Sequence, residues 1–99
     1  MERYTVKINK NALKMMDRHL MFLADINVDA AKRLADELTD SLVSLETMPN
    51  RCPKFRTHRT DEPYRQLIVG RYQIIFSINE EKNIVSVKHI LDSRQNNDI

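Results

Sequence analysis

A single glycine, Gly70, and a single cysteine, Cys52, are all that this 99-residue chain has of either. One glycine cannot build the Gly-rich loop that cradles phosphates, so phosphate-loop chemistry is excluded. One thiol cannot close an internal disulfide, which suits a reducing, cytoplasmic setting. No uncharged apolar run approaches the ~18–20 residues that a membrane span requires, and no basic, apolar, small-residue leader opens the chain. Metal-ligand spacing is missing as well: His19, His58, His89 and Cys52 stand apart, with none of the short paired separations of a zinc site. Nothing in the sequence places a base against Cys52, so nucleophilic catalysis by that thiol lacks its partner. The expectation is a protein of the cytoplasm that needs no metal and no cofactor and does not engage a membrane.

What is present suits an ordinary globular fold. Hydrophobic residues make up 41% and charged residues 30% of the chain, and the length allows one domain, residues 1–99, with one modest core. The formal net charge of +2 conceals an uneven distribution. Residues 1–50 carry seven Lys/Arg against eight Asp/Glu. Residues 51–71 carry Arg51, Lys54, Arg56, Arg59, Arg65 and Arg71 against only Asp61 and Glu62, and the remaining 28 residues are again slightly acidic. A concentrated positive stretch sets up a local field for an anionic partner, although a solvated loop would need charges of its own simply to stay in water.

Apolar spacing then assigns elements. Tyr4, Val6 and Ile8 alternate with polar residues, the period of a half-buried strand. Asn9 or Asn11 can cap a helix in which Leu13, Met16, Leu20 and Leu23 form a stripe, widened by Met15, Phe22 and Ile26. Asn27-Val28-Asp29 offers a second cap, and Ala31, Leu34, Ala35, Leu38, Leu42 and Leu45 continue the helical period. Asp36, Glu37 and Asp40 alternate with Lys32 and Arg33 on the far side, as on a solvent-facing helix surface. These stripes are expected to be core. Runs rich in β-branched and aromatic residues follow at 64–69, 72–78 and 84–91, the first two joined at Gly70. The order is β-α-α-β-β-β: an α+β fold in which a helical hairpin packs on one face of a small, mainly antiparallel sheet.

Residues 48–63 break the pattern. They hold all three prolines and no clean period, and a structureless connection longer than ~12–15 residues is uncommon in a compact domain unless functional or mobile. The spacing predicts a loop there, with exposed charges available for binding. Arg65, Arg71, Lys88, His89 and Arg94 fall in or beside the later strands. On an open sheet face such bases could hold phosphates through forked hydrogen bonds; the same residues equally make the polar side of a half-exposed sheet.

The run Tyr64-Arg65-Gln66-Leu67-Ile68-Val69-Gly70-Arg71-Tyr72-Gln73-Ile74-Ile75-Phe76-Ser77-Ile78 resembles the central hairpin of the RelE/ParE superfamily of toxins. The ending Val87-Lys88-His89-Ile90-Leu91-Asp92-Ser93-Arg94-Gln95-Asn96 is similar to that family's last strand and basic exit, and Leu45-Glu46-Thr47-Met48-Pro49 to the close of its second helix. The resemblance extends over nearly the whole chain. It implies the toxin of a bacterial type II toxin–antitoxin, or plasmid stabilisation, module, neutralised by a cognate antitoxin protein. Members resembling RelE cleave mRNA on the ribosome with bases on the sheet and a C-terminal tyrosine; members resembling ParE poison DNA gyrase.

Carried over residue by residue, the nuclease set matches at Arg65 and Arg94, and His89 is the available proton carrier. Gln73 replaces an expected arginine, Leu67 a second base, and no tyrosine follows Arg94. Asp92 stands where the gyrase-type ending usually has histidine. The resemblance therefore implies three readings: an inhibitor of gyrase, which the missing bases favour; a ribosome-dependent endoribonuclease using Arg65, Arg94 and His89; or a catalytically silent relative that binds a partner or nucleic acid. Arg51, Lys54, Arg56, Arg59, Arg71 and Lys88 are the candidate contacts to target or antitoxin.

Overall fold

A computed structural model describes residues 3–57 and 60–92, and the side chains there except those of 57 and 60–62. The element order is β1 (Thr5–Ile8), α1 (Lys10–Ile26), α2 (Val28–Ser44), a short 3-10 turn (Pro49–Arg51), β2 (Lys54–Thr57), β3 (Thr60–Val69), β4 (Tyr72–Asn79) and β5 (Ile84–Asp92). The strands form one sheet in the order β1-β5-β4-β3-β2. β1 runs parallel to β5 and every other pairing is antiparallel. The helical hairpin covers one face, with α1 over β5 and α2 reaching β3. The expected α+β arrangement is present, with one strand more than the sequence reading gave.

Local chemistry explains the helix bounds. Asn9 caps α1 by accepting from the backbone N–H of Ala12 at 2.8 Å, and Asn27 caps α2 by accepting from Ala30 at 3.0 Å. Each side chain satisfies an N–H that the first turn leaves without an intrahelical partner. Asn27 also ends α1, its N–H donating to the Leu23 carbonyl at 2.8 Å. One residue thus closes one helix and opens the next. Gly70, with φ +60, forms the two-residue corner between β3 and β4, a backbone region in which a Cβ is strained.

The main core lies between helices and sheet. Leu38, Leu45, Ile74, Phe76, Val85, Val87 and Ile90 are wholly buried in it, and Met16, Leu20 and Leu23 pack at its margin. The stripe of α2 is core as its spacing predicts, with Ala31, Leu34, Leu38 and Leu42 buried. α1 differs. Leu13, Phe22 and Ile26, expected in the core, are exposed. Eight large apolar residues spread over α1 form a band wider than one flank of a five-stranded sheet can cover. No helix among the described residues is long and apolar enough to cross a membrane.

Residues 48–63, expected to be a loop, are not structureless: the 3-10 turn, β2 and the first residues of β3 occupy all the described positions from 49 onward apart from Cys52 and Pro53. β2 pairs with β3 through Lys54↔Arg65 and Phe55↔Tyr64, and a bulge lies between Phe55 and Thr57. As an edge strand it carries Lys54 and Arg56 exposed, the usual defence of an edge against unwanted pairing.

Candidate target- and partner-binding surface

The basic stretch divides in two once folded. Arg51 lies on the turn that follows α2. Its Nη1 donates to the carbonyls of Thr47 (2.8 Å), Met48 (3.0 Å) and Ser44 (3.4 Å), and its Nη2 to Ser44 Oγ (3.0 Å). The last carbonyls of a helix lack intrahelical donors and sit at the negative end of its dipole. Arg51 supplies donors and positive charge there together. Arg65 acts similarly from β3, its Nη1 donating to the carbonyls of Cys52 (2.6 Å) and Asn50 (3.2 Å). A third tie crosses the same end of the molecule: Tyr4 donates to Glu80 Oε2 at 2.7 Å and Asn50 Nδ2 to Glu80 Oε1 at 3.3 Å. Lys54, Arg56 and Arg71 are exposed. Arg59 lies outside the described residues.

Cys52 is buried beside the two arginines. Burial pushes its thiol up from the ordinary value, and the nearby positive charges of Arg51 and Arg65 oppose that rise only in part. The thiol is held protonated, a poor nucleophile.

Strand register decides which bases share a face. Arg65 stands opposite Phe76, and Phe76 opposite Val87; both partners are buried in the main core. Directly opposed residues of an antiparallel pair project to the same side, so Arg65 belongs to the helix-covered face. Gln66 stands opposite Ile75, and Ile75 opposite His89, on the other side. A bulge between Ile75 and Phe76 in the β4–β5 ladder leaves Lys88 as the extra residue. From Tyr64 onward the back-face positions of β3 and β4 are Tyr64, Gln66, Ile68, Gln73, Ile75, Ser77 and Asn79, none of them a base. Gln73 Nε2 donates to Gln66 Oε1 at 3.0 Å. Tyr64, Ile75 and Leu91 are buried on this side, with Phe55 and Met15 packed against them. Burial lowers the His89 pKa from its ordinary value, and the adjacent Lys88 charge lowers it further. His89 and Arg65 therefore lie on opposite faces, and Arg94 is outside the described residues.

Sequence reasoning placed no groove on this molecule, yet one opens at the tip of the helical hairpin. It has a volume of about 1050 Å³ and lies between α1, the first half of α2, the β3–β4 corner and the end of β5. Met15, Phe22 and Ile26 line it from α1, Leu34 from α2, and Tyr72 and Leu91 from the sheet. The His19 ring meets Tyr72 edge-on with centroids 5.1 Å apart. Arg18 and Glu37 border it on the two helices. The excess width of the α1 stripe was the available signal.

Solved structures of similar fold include the chromosomal ParDE toxin–antitoxin system of P. aeruginosa, at TM-score 0.71 and 13% identity over 89% of this chain and 94% of that one. A RelBE toxin–antitoxin complex of Mycobacterium tuberculosis gives TM-score 0.59 and 17% identity, covering 93% of each chain. An archaeal RelE–RelB complex of Pyrococcus horikoshii OT3 gives TM-score 0.57 and 20% identity over 92% of this chain and 96% of that one. At such identities the likeness shows fold alone. No curated protein sequence matches significantly. The family profile described as the ParE toxin of type II toxin–antitoxin system, parDE, matches residues 6–97. A match over that span, on a chain folded as described, is what settles membership: this chain belongs to the ParE toxin family.

Proposed function

We propose that this chain poisons its cell by binding DNA gyrase rather than by cutting RNA, and that a cognate antitoxin holds it inactive. The observation that carries the choice of mechanism is the position of Arg65. Phosphodiester cleavage needs donors fixed where charge develops on the phosphorane, and a base within reach of the 2′-hydroxyl. Arg65 faces the helices with its guanidinium engaged by two backbone carbonyls, while His89 faces the other way. A neutral glutamine pair lies on the back face of β3 and β4, and an amide cannot replace a guanidinium in charge stabilisation. Binding-type inhibition asks for none of this. Family membership supports the gyrase reading from a separate direction.

The test is a purified gyrase assay beside a ribosome-bound mRNA cleavage assay. The reading expects inhibited supercoiling or trapped cleaved DNA, and intact mRNA. Codon-bounded mRNA cleavage by the wild-type chain, abolished by Arg94→Ala, overturns it in favour of the endoribonuclease.

The antitoxin proposal draws support from the three similar structures, each of which is a toxin–antitoxin system or complex. An antitoxin segment would bury apolar surface on the helical hairpin or the sheet edge and place acids against Lys54, Arg56 and the rest of the 51–71 stretch. Folding on binding leaves a large negative heat-capacity change. Calorimetry with the product of the adjacent gene should show it, and no binding at micromolar concentration removes this partner.

A further inference from the structure

We propose that the face of the sheet turned away from the helices rests on the phosphate backbone of duplex DNA through Lys7, Lys88 and His89. Register, charge and surface chemistry support this.

Register brings the three bases together. Val87 and Ile90 are buried in the main core, and side chains alternate along a strand. Lys88, next to Val87, and His89, next to Ile90, therefore both project to the back, side by side at the bulge. Lys7 joins them from β1. Its parallel partner is Ser86, two residues before Lys88 on the same side. Two residues along and one strand across set the lysine Cα atoms about 8 Å apart.

Nothing described on this face neutralises them. No described side chain at a back-face position of the strands is a carboxylate. Asp92 stands opposite Tyr72, which packs on the main core, and so belongs to the helix side. Neither lysine has a hydrogen-bond or ion-pair partner among the described residues, in contrast to Arg51 and Arg65. Their charge is available to an anion.

The face suits a nucleic-acid backbone better than a protein. Ile68 is the one large apolar side chain exposed among its described residues, too little for the apolar centre of a protein interface. Gln66, Gln73, Ser77 and Ser86 lie on the same side as the bases, and such neutral groups bind phosphate oxygens beside lysine. A single strand is held by aromatic rings on which its bases stack. Here Tyr64 is buried and Phe55 packs against its cluster, which favours the base-paired backbone of a duplex. Holding phosphate asks for none of the fixed donors that cleavage needs.

Contact of this kind does not depend on gyrase, and the first measurement contains none. Fluorescence anisotropy of a labelled duplex of about 20 base pairs should show affinity falling about tenfold from about 50 to about 200 mM salt, as for roughly two phosphate contacts. Lys7→Gln and Lys88→Gln should each remove about one unit of the salt slope, and together nearly all of it. The thermal midpoint should stay unchanged, because neither ammonium holds another group. Should Lys88→Gln lower the midpoint, Lys88→Arg must keep the slope and Lys7→Gln must still halve it. Lys54→Gln combined with Arg56→Gln removes the same charge from the β2 edge and should alter the slope little. No binding by the wild type at about 50 mM salt overturns the proposal. An equal loss from the β2 pair overturns it in favour of net charge, and tighter binding to a single-stranded RNA of equal charge overturns it as well. A chain that binds duplex through these lysines yet leaves gyrase untouched removes the gyrase reading alone. One that inhibits gyrase but binds no duplex removes this proposal alone.

Discussion

The two ends of α2 are treated in opposite ways. At its C-terminal end, Arg51, Arg65, Asn50, Tyr4 and Glu80 join the helix end, the 3-10 turn, β3 and the residues flanking β1 and β4 through a run of hydrogen bonds, several of them charge-assisted. At its N-terminal end the hairpin tip leaves four large apolar side chains, Met21, Phe22, Ile26 and Val28, in water. The first end satisfies its own chemistry and the second does not. Positive charge in the sequence is thus a poor guide to a binding surface here, because the most firmly held bases are structural. Unsatisfied apolar surface is the better guide.

Substitutions at the two ends should differ in their cost to stability. Arg65→Ala should have the largest effect, since it leaves two carbonyls beside a buried thiol without their charged donor. Hydrogen bonds to charged groups contribute about 1.5–3 kcal/mol each, so a loss of roughly 2 kcal/mol in urea unfolding is expected. A loss near zero would mean that Arg65 is free to act elsewhere. Arg51→Ala removes the donors at the α2 terminus from an exposed position, and about 1 kcal/mol is expected in the same measurement.

A smaller effect concerns His89, whose folded pKa lies below its ordinary 6.5. Near neutrality the neutral ring is favoured in both states. As pH falls through 6.5 the unfolded chain takes up the proton before the folded chain does, so stability declines until the folded pKa is passed. His89→Gln should flatten the stability profile below pH 6.5 while leaving it unchanged above pH 7; an unchanged slope below 6.5 would show that the ring titrates as in the unfolded chain. Smallest of all is Phe22→Ser, expected to shift unfolding by less than about 0.5 kcal/mol because the ring touches mostly water. A large loss there would place Phe22 in the core after all.

How much of this was legible in the sequence varied by element. The helices were readable because Asn9 and Asn27 are strong caps and the Leu period of α2 is unbroken. The β3–β4 and β4–β5 hairpins were readable from their β-branched runs. β2 was not. Its four residues, Lys54-Phe55-Arg56-Thr57, offer one apolar side chain, since an edge strand with a bulge has little to bury. The face of Arg65 was recoverable in principle: counting by twos from Leu67 and Val69 puts it with the core. The bulge at Lys88 also left a trace, because Val85 and Val87 are followed at a spacing of three by Ile90. The groove was illegible in its position, because apolar periodicity reports which helix face is sticky and not which part of it the sheet reaches.

The pairing of β1 with β5 has a consequence for how the molecule comes into being. β5 is the last strand described, yet it lies between β1 and β4, so Thr5 waits for Ile84 before it has a ladder partner. The helical hairpin, whose contacts are local, can form early on a nascent chain, whereas pairings across some eighty residues are late and slow. During synthesis the undersides of α1 and α2 face water until β5 leaves the ribosome, an interval in which such chains are most prone to aggregate. Closure of the core therefore waits for β5, and a ribosome that stops before it releases helices without a fold.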